Sequence, residues 1–151
     1  MTAQKDDQQH GLSQSLEDYL EAIFVIADRR GEARTKEIAD RLGVTNASVS
    51  GALRALRDRG LVHHEPYDGV TLTEEGRRLA QQVDRKHKAL HGFFCDVLGV
   101  AEPQAAEIAC RVEHAIPDLV RTRLVRLRDV IAEKGVLRWD DAAQDFVIGP
   151  E

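Results

Sequence analysis

Apolar residues recur along the chain at spacings of three and four, and the recurrence changes character in one place. Leu16, Leu20, Ile23, Phe24 and Ala27 fall on one face of a helix that opens at a serine cap and stops at Gly31. In "TKEIADRLGV", Ile38, Ala39 and Leu42 form a shorter inward face, with Thr35 as the cap and Gly43 at the end. A third helix starts at Thr45 or Asn46, buries Val49, Leu53 and Leu56, and ends at Gly60. The period then drops towards two in "LVHHEPYDGVTLT", where Asp68-Gly69 predicts a β-hairpin turn. Helical spacing resumes after Thr73 with Leu79, Val83, Leu90, Phe94 and Leu98, a long helix that Gly92 is expected to bend. Two more helices follow Pro103 and Pro117, the last carrying Leu119, Leu124, Leu127 and Val130 before Gly135. "VLRWDDAAQDFVIGPE" shows no clear period and reads as a loosely attached tail.

Two short helices around the tight "LGV" turn, then a basic helix and a hairpin, form the order of a winged helix-turn-helix. The fold predicted is mainly α. It has a flexible tail at 1–12, a winged-helix DNA-binding domain with a small β-hairpin wing at 13–76, an all-helical domain at 77–138 and a C-terminal tail at 139–151. The helix after the turn presents Thr45, Asn46, Ser48 and Ser50, short polar groups suited to phosphates or base edges, while Arg54 and Arg57 reach towards the backbone and Tyr67 belongs to the wing. Gly51 leaves no side chain at a position well placed to meet a base, which shifts part of the readout to DNA shape.

Charge sharpens this picture. The net charge of −5 argues at first against a nucleic-acid partner, yet residues 29–88 carry 13 Lys and Arg against 9 Asp and Glu. Residues 1–28 carry 1 against 6, and residues 89–151 carry 7 against 11. A basic middle supplies the field that phosphates need, and acidic flanks supply carboxylates for cations. No apolar run approaches the roughly 18 residues of a membrane span, and "MTAQKDDQQH" lacks the hydrophobic stretch of a secretory signal, so a cytoplasmic location is expected. Two cysteines are too few for a disulfide framework.

The candidate chemistry lies in "EIACRVEHAIPD". Cys110, Glu113 and His114 stand at i, i+3 and i+4, so a thiol, a carboxylate and an imidazole share one helical face beside Ile108, Val112 and Ala115. Asp18 and Glu21 stand one turn apart on the first helix, next to its apolar face. Cys95, in "GFFCDVL", has no partner at ligand spacing and is assigned to the core. Leu119, Leu124 and Leu127 exceed what one small domain buries, which predicts a homodimer formed through the second half.

In "LEDYLEAIF", "VTLTEEGRRLA", "RKHKALHGFFCDVLG" and "ACRVEHAI", the chain resembles the diphtheria toxin repressor and manganese transport regulator family, over roughly residues 13–130. The resemblance implies a homodimeric repressor that binds double-stranded operator DNA of metal-homeostasis genes when manganese(II) or iron(II) fills a site between its two domains. Carried over by position, the ligands are Asp18, Glu21, His87, Cys110, Glu113 and His114. Asp18 resembles the manganese type and Cys110 the iron type. Three carboxylates against one thiolate favour manganese(II), with iron(II) the close alternative. His87 and His91 fall at two positions of the iron type's ancillary site, but the third is Ala106, and the sequence ends before an SH3-like third domain, so a two-domain architecture is expected. A metal-independent winged-helix regulator with a vestigial cluster stays open as an alternative. A metalloenzyme is disfavoured for want of any separate acid-base constellation or glycine-rich phosphate loop, and no enzymatic activity is expected.

Overall fold

The computed structural model describes residues 11–149, so the expected tail at 1–12 lies almost wholly outside the described residues. The chain divides into two units, Met1–Asp84 and Arg85–Glu151. In the first, helix α1 (Gln14–Arg30) is capped by Ser13, whose hydroxyl accepts from the Leu16 N–H at 3.3 Å, and is closed by Gly31 in the left-handed region at φ 84°. Helix α2 (Thr35–Leu42) starts one residue earlier than the sequence suggests, because Arg34 rather than Thr35 takes the cap position. The Glu37 carboxylate accepts the Arg34 backbone N–H at 3.0 Å, so the reciprocal half of a capping box does the work of a threonine hydroxyl. Helix α3 (Asn46–Asp58) begins at Thr45, which accepts from the Ser48 N–H at 3.1 Å.

The wing is an antiparallel pair, β1 (Val62–His63) and β2 (Thr71–Leu72), with Val62 opposite Leu72 and His63 opposite Thr71. A bridge between Ala33 and Val70 ties it to the segment before α2. Asp68-Gly69 does not make the two-residue turn that its sequence predicts. The chain reverses at Glu65–Asp68, where the Asp68 N–H donates to the Glu65 carbonyl at 3.1 Å, and the residue with φ of 70° is Tyr67. Pro66 fixes the preceding φ, as position i+1 of a type II turn prefers, and this leaves Tyr67 in the left-handed region that a bulky residue seldom adopts. Gly69 is instead a place of close approach, where a Cβ would run into the Glu32 side chain.

Leu20, Ile23, Ile38, Val49, Leu53, Leu56 and Val70 are all completely buried in one cluster, which also takes in Leu79 and Ala80 from helix α4 (Glu74–Asp96). That helix opens at Thr73, whose hydroxyl donates to the Gly60 carbonyl at 2.8 Å and accepts from the Gly76 N–H at 3.0 Å. Leu79 and Ala80 pack into the first core, and the division between the two compact units falls inside α4 at Asp84/Arg85. Gly92 does not interrupt α4. The helix runs through it, and the absent side chain makes room for the Arg128 guanidinium.

The second unit continues with α5 (Glu102–Val112), a 3-10 turn at Glu113–Ala115 and α6 (Asp118–Lys134), closed by Gly135. Residues 138–147 correct the expectation of a loose tail: β3 (Arg138–Asp140) and β4 (Asp145–Val147) pair antiparallel. Three-residue strands are too short to show a period, and what holds them is local. Trp139 and Phe146 pack edge to face at 5.1 Å, and the Asp140 carboxylate accepts from the N–H groups of Ala142 and Ala143 at 2.9 and 3.0 Å. Trp139 also lies over Gly99, where no Cβ fits.

Candidate metal centre and nucleic-acid interface

The buried face of α5 is not the predicted Ile108, Val112 and Ala115. Ala105, Ala109 and Glu113, each four residues apart, are the fully buried positions, while Ile108 and Val112 are half-buried and Ala115 is exposed. Two alanines allow close packing, and the third position along the same stripe is a carboxylate with no exposed surface. The α-helix tightens to 3-10 geometry at Glu113 itself. Its Oε2 lies 2.7 Å from His87 Nδ1 and its Oε1 lies 3.4 Å from His114 Nε2. Beyond that longer approach, Glu113 Oε1 is buried without a hydrogen-bond partner.

A buried carboxylate oxygen left unsatisfied costs on the order of 1–3 kcal/mol or more, so the arrangement favours a cation or a hydrogen-bond donor beside it. A divalent cation fits, because imidazole and carboxylate are ordinary ligands of the later first-row metals. Cys110 is half-buried one turn before Glu113 on α5. Of the residues carried over from the sequence, the second unit therefore gathers His87, Glu113 and His114, with Cys110 at the adjoining turn. Asp18 and Glu21 lie in the first unit, one turn apart on α1, the first half-buried and the second 9% exposed among the buried Tyr19, Leu20, Ala22 and Ile23.

Sequence reasoning missed a second group of donors. His91 Nε2 lies 3.8 Å from Cys95 Sγ and 3.4 Å from Glu102 Oε1, so Cys95 is half-buried beside a partner and is not an inert core residue. The i, i+4 spacing of His91 and Cys95 was the available signal; Glu102, seven residues further on and beyond a turn, gave none. Burial, then the charges of Glu102 and Asp96, push the Cys95 thiol above its ordinary pKa.

In the first unit, Thr45, Asn46, Ser48, Ser50, Arg54 and Arg57 are all exposed on or just before α3, and Tyr67 is 99% exposed at the wing turn. The hydroxyls are partly engaged within the helix. Thr45 and Ser48 share a bond at 3.0 Å, and Ser50 donates to the Asn46 carbonyl at 3.0 Å. Arg57 lies 3.6 Å from Asp58 in an exposed pair of small energetic weight, which leaves its guanidinium available. Gly51 faces open space.

Residues 11–70 match the iron dependent repressor N-terminal DNA binding domain, and residues 73–134 match the iron dependent repressor metal binding and dimerisation domain. The chain belongs to the iron dependent repressor family, whose members are metal-dependent transcriptional repressors. It is 40% identical over 114 residues to an HTH-type transcriptional regulator of Methanocaldococcus jannaschii, covering 75% of this chain and 91% of that one. With the transcriptional regulator MntR of Escherichia coli it shares 37% over 103 residues, covering 68% and 66%. Among solved structures, a manganese-dependent transcriptional repressor in complex with manganese superposes with a TM-score of 0.69 at 32% identity, covering 76% of this chain and 52% of that one. The chain thus spans most of the first relative, two thirds of the second and about half of the third. Among the described residues, no helix is long and apolar enough to cross a membrane.

Proposed function

We propose that this protein is a metal-activated transcriptional repressor that binds operator DNA as a homodimer, and that Asp18, Glu21, His87, Cys110, Glu113 and His114 hold the activating ion. The observation that carries the reading is Glu113, fully buried between two imidazoles with one oxygen unpartnered, in a chain of the iron dependent repressor family. A bound divalent ion supplies the positive charge that lets clustered carboxylates coexist. The three carboxylates favour manganese(II), with iron(II) second because of the Cys110 thiol. Leu119, Val120 and Leu127 of α6 are 61%, 42% and 48% exposed, an apolar surface that a second copy of the domain would cover. Thr45, Asn46, Ser48, Ser50, Arg54, Arg57 and Tyr67 would face the DNA, two copies presenting two α3 helices to a two-fold operator.

The test is binding to DNA from the protein's own promoter region, with chelator and with manganese(II), iron(II), cobalt(II) or zinc(II) added in turn. Binding that needs metal and is strongest with manganese(II) is the expected result. Equal binding in chelator makes the cluster vestigial. Sedimentation as a monomer with metal and DNA present removes the dimer. Replacing Cys110 by Glu should improve the manganese response relative to iron(II); an unchanged ranking takes the thiol off the ligand list.

A further inference from the structure

We infer that the β3–β4 hairpin clamps the turn between α4 and α5, and that Trp139 is a positioning residue which holds Glu113 against His87. The inference rests on the reading of those two residues as metal ligands. Residues 97–101 join α4, which carries His87, to α5, which leads into Glu113. The turn is lightly fixed by itself. The Val97 N–H donates to the Phe93 carbonyl at 3.0 Å and the Val100 N–H to the Phe94 carbonyl at 2.9 Å, and both acceptors belong to the end of α4. On the α5 side, Ala101 stands at the cap position and has no side-chain acceptor to offer, while Gly99 takes a left-handed φ of 66°.

What steadies this turn comes from the far end of the unit. The Cδ1, Cβ and Cγ atoms of Trp139 lie 2.6, 2.8 and 2.9 Å from where a Cβ on Gly99 would stand, so the glycine is a notch that the indole fills. The ring is held in that orientation. Its Nε1 donates to the Asp141 carboxylate at 2.9 Å, and Phe146 packs edge to face against it. Beyond the strands, the Gly149 N–H donates to the Val136 carbonyl at 3.4 Å and closes the hairpin at its base. The hairpin follows α6 through Gly135, and α6 is itself seated on α4 by Arg128, whose guanidinium occupies the space left at Gly92. A strap therefore runs from α4 through α6 and the hairpin back to the start of α5. The match to the metal binding and dimerisation domain ends at residue 134, so the hairpin lies outside the shared pattern.

Leverage makes the contact matter. Glu113 directly follows the 11 residues of α5, which at 1.5 Å per residue is roughly 16 Å of helix, so a tilt of about 4° at the turn carries the carboxylate about 1 Å. That displacement ends the 2.7 Å approach of Glu113 Oε2 to His87 Nδ1. Ligand distances in a metal site hold to within about 0.2 Å, and groups that orient ligands from outside the coordination shell change metal affinity by about 10–100-fold. Trp139 acts on the ion only through Gly99 and α5.

Trp139 is the chain's single tryptophan, so its emission reads the clamp directly. In the full chain, manganese(II) binding is followed by the electron paramagnetic resonance of the free ion, with Trp139 emission recorded in the same titration. The emission should change with the midpoint of binding, and the change should be absent in Glu113→Gln. Trp139→Ala should weaken manganese(II) binding about tenfold with circular dichroism unchanged. Trp139→Phe, which keeps a ring over Gly99, should recover most of that loss. Gly99→Ala, which displaces the indole, should weaken binding likewise and open Trp139 to acrylamide quenching in the metal-free protein. Ile148→Ser, on the same hairpin segment but at a position 86% exposed, should leave the affinity unaltered, which a general loosening of the segment would not. Emission that ignores the titration, unaltered affinity in Trp139→Ala or Gly99→Ala, Trp139→Phe no better than Trp139→Ala, or an equal loss in Ile148→Ser overturns the clamp and leaves the metal site standing. A parent chain that binds no manganese(II) overturns the metal reading itself, and the clamp with it.

Discussion

The two units are stabilised by different means. The first encloses Leu20, Ile23, Ile38, Val49, Leu53, Leu56 and Val70 with no exposed surface, a core of large branched side chains. In the second, half of the buried apolar residues are alanines: Ala89, Ala105 and Ala109 beside Leu90, Val97 and Ile131. Its most deeply buried large side chains are Leu90 and a carboxylate, Glu113. Apolar burial contributes about 25 cal/mol per Å², so large side chains make the first unit self-sufficient, whereas the second has surface on α6 still to cover and a charge still to compensate. A DNA-binding module needs one fixed shape. A sensing module needs a part of its stability to arrive with a ligand.

The sharpest way to break this contrast is in the first core. Leu53→Ala removes a side chain that nothing can replace and should cost about 2–5 kcal/mol in urea unfolding, with no dependence on added metal. A loss that manganese(II) rescues would show that the first unit also leans on the ion. The next effect belongs to the second unit. Glu113→Gln keeps the shape and removes the charge, so the variant should lose the metal-dependent stabilisation, about 2.7 kcal/mol when the ion is at a hundred times its Kd, while the metal-free protein is no less stable than the parent. Thermal unfolding with and without manganese(II) reads both.

Arg54→Ala should weaken operator binding by about 1 kcal/mol and reduce the slope of log affinity against log salt by about 1, with metal affinity unaltered. A matching fall in metal affinity would mean damage to the fold. The smallest effect is expected at Asp140, whose carboxyl is held below its ordinary pKa first by the hydrogen bond from the Ala143 N–H. A depressed folded-state pKa gives stability that is present above the ordinary value of 3.8 and lost as the pH falls through the lower folded value. Acid should therefore loosen the β3–β4 hairpin, and Asp140→Asn should flatten that response. The emission of Trp139, the chain's single tryptophan, reports it.

What could be read in the sequence follows the same division. In the first unit the caps at Ser13 and Thr45, the stops at Gly31 and Gly43, and the spacing of the core residues are all local signals, and the structure has them in place. The wing turn was misread because Asp68-Gly69 is a strong local signal overridden by Pro66 and by the approach of Glu32 to Gly69. In the second unit less was visible. Periodicity treats Ile108 and Val112 as core and gives a glutamate no inward place, yet packing on Ala105 and Ala109 turns Glu113 inward. The β3–β4 hairpin rests on one aromatic pair and one aspartate, and the proximity of Glu102 to His91 depends on a reversal that spacing alone does not show.

Gly51 stands in the middle of α3, exposed, with nothing within 4 Å of where a side chain would begin. A helix normally resists glycine there by roughly 0.5–1 kcal/mol relative to alanine. The fold therefore gains nothing from it, and any residue type but proline is sterically admissible. If the exposed face of α3 meets DNA as proposed, the position is a free variable for retargeting: a library randomised at residue 51 alone would explore new operator preferences without touching the sensor.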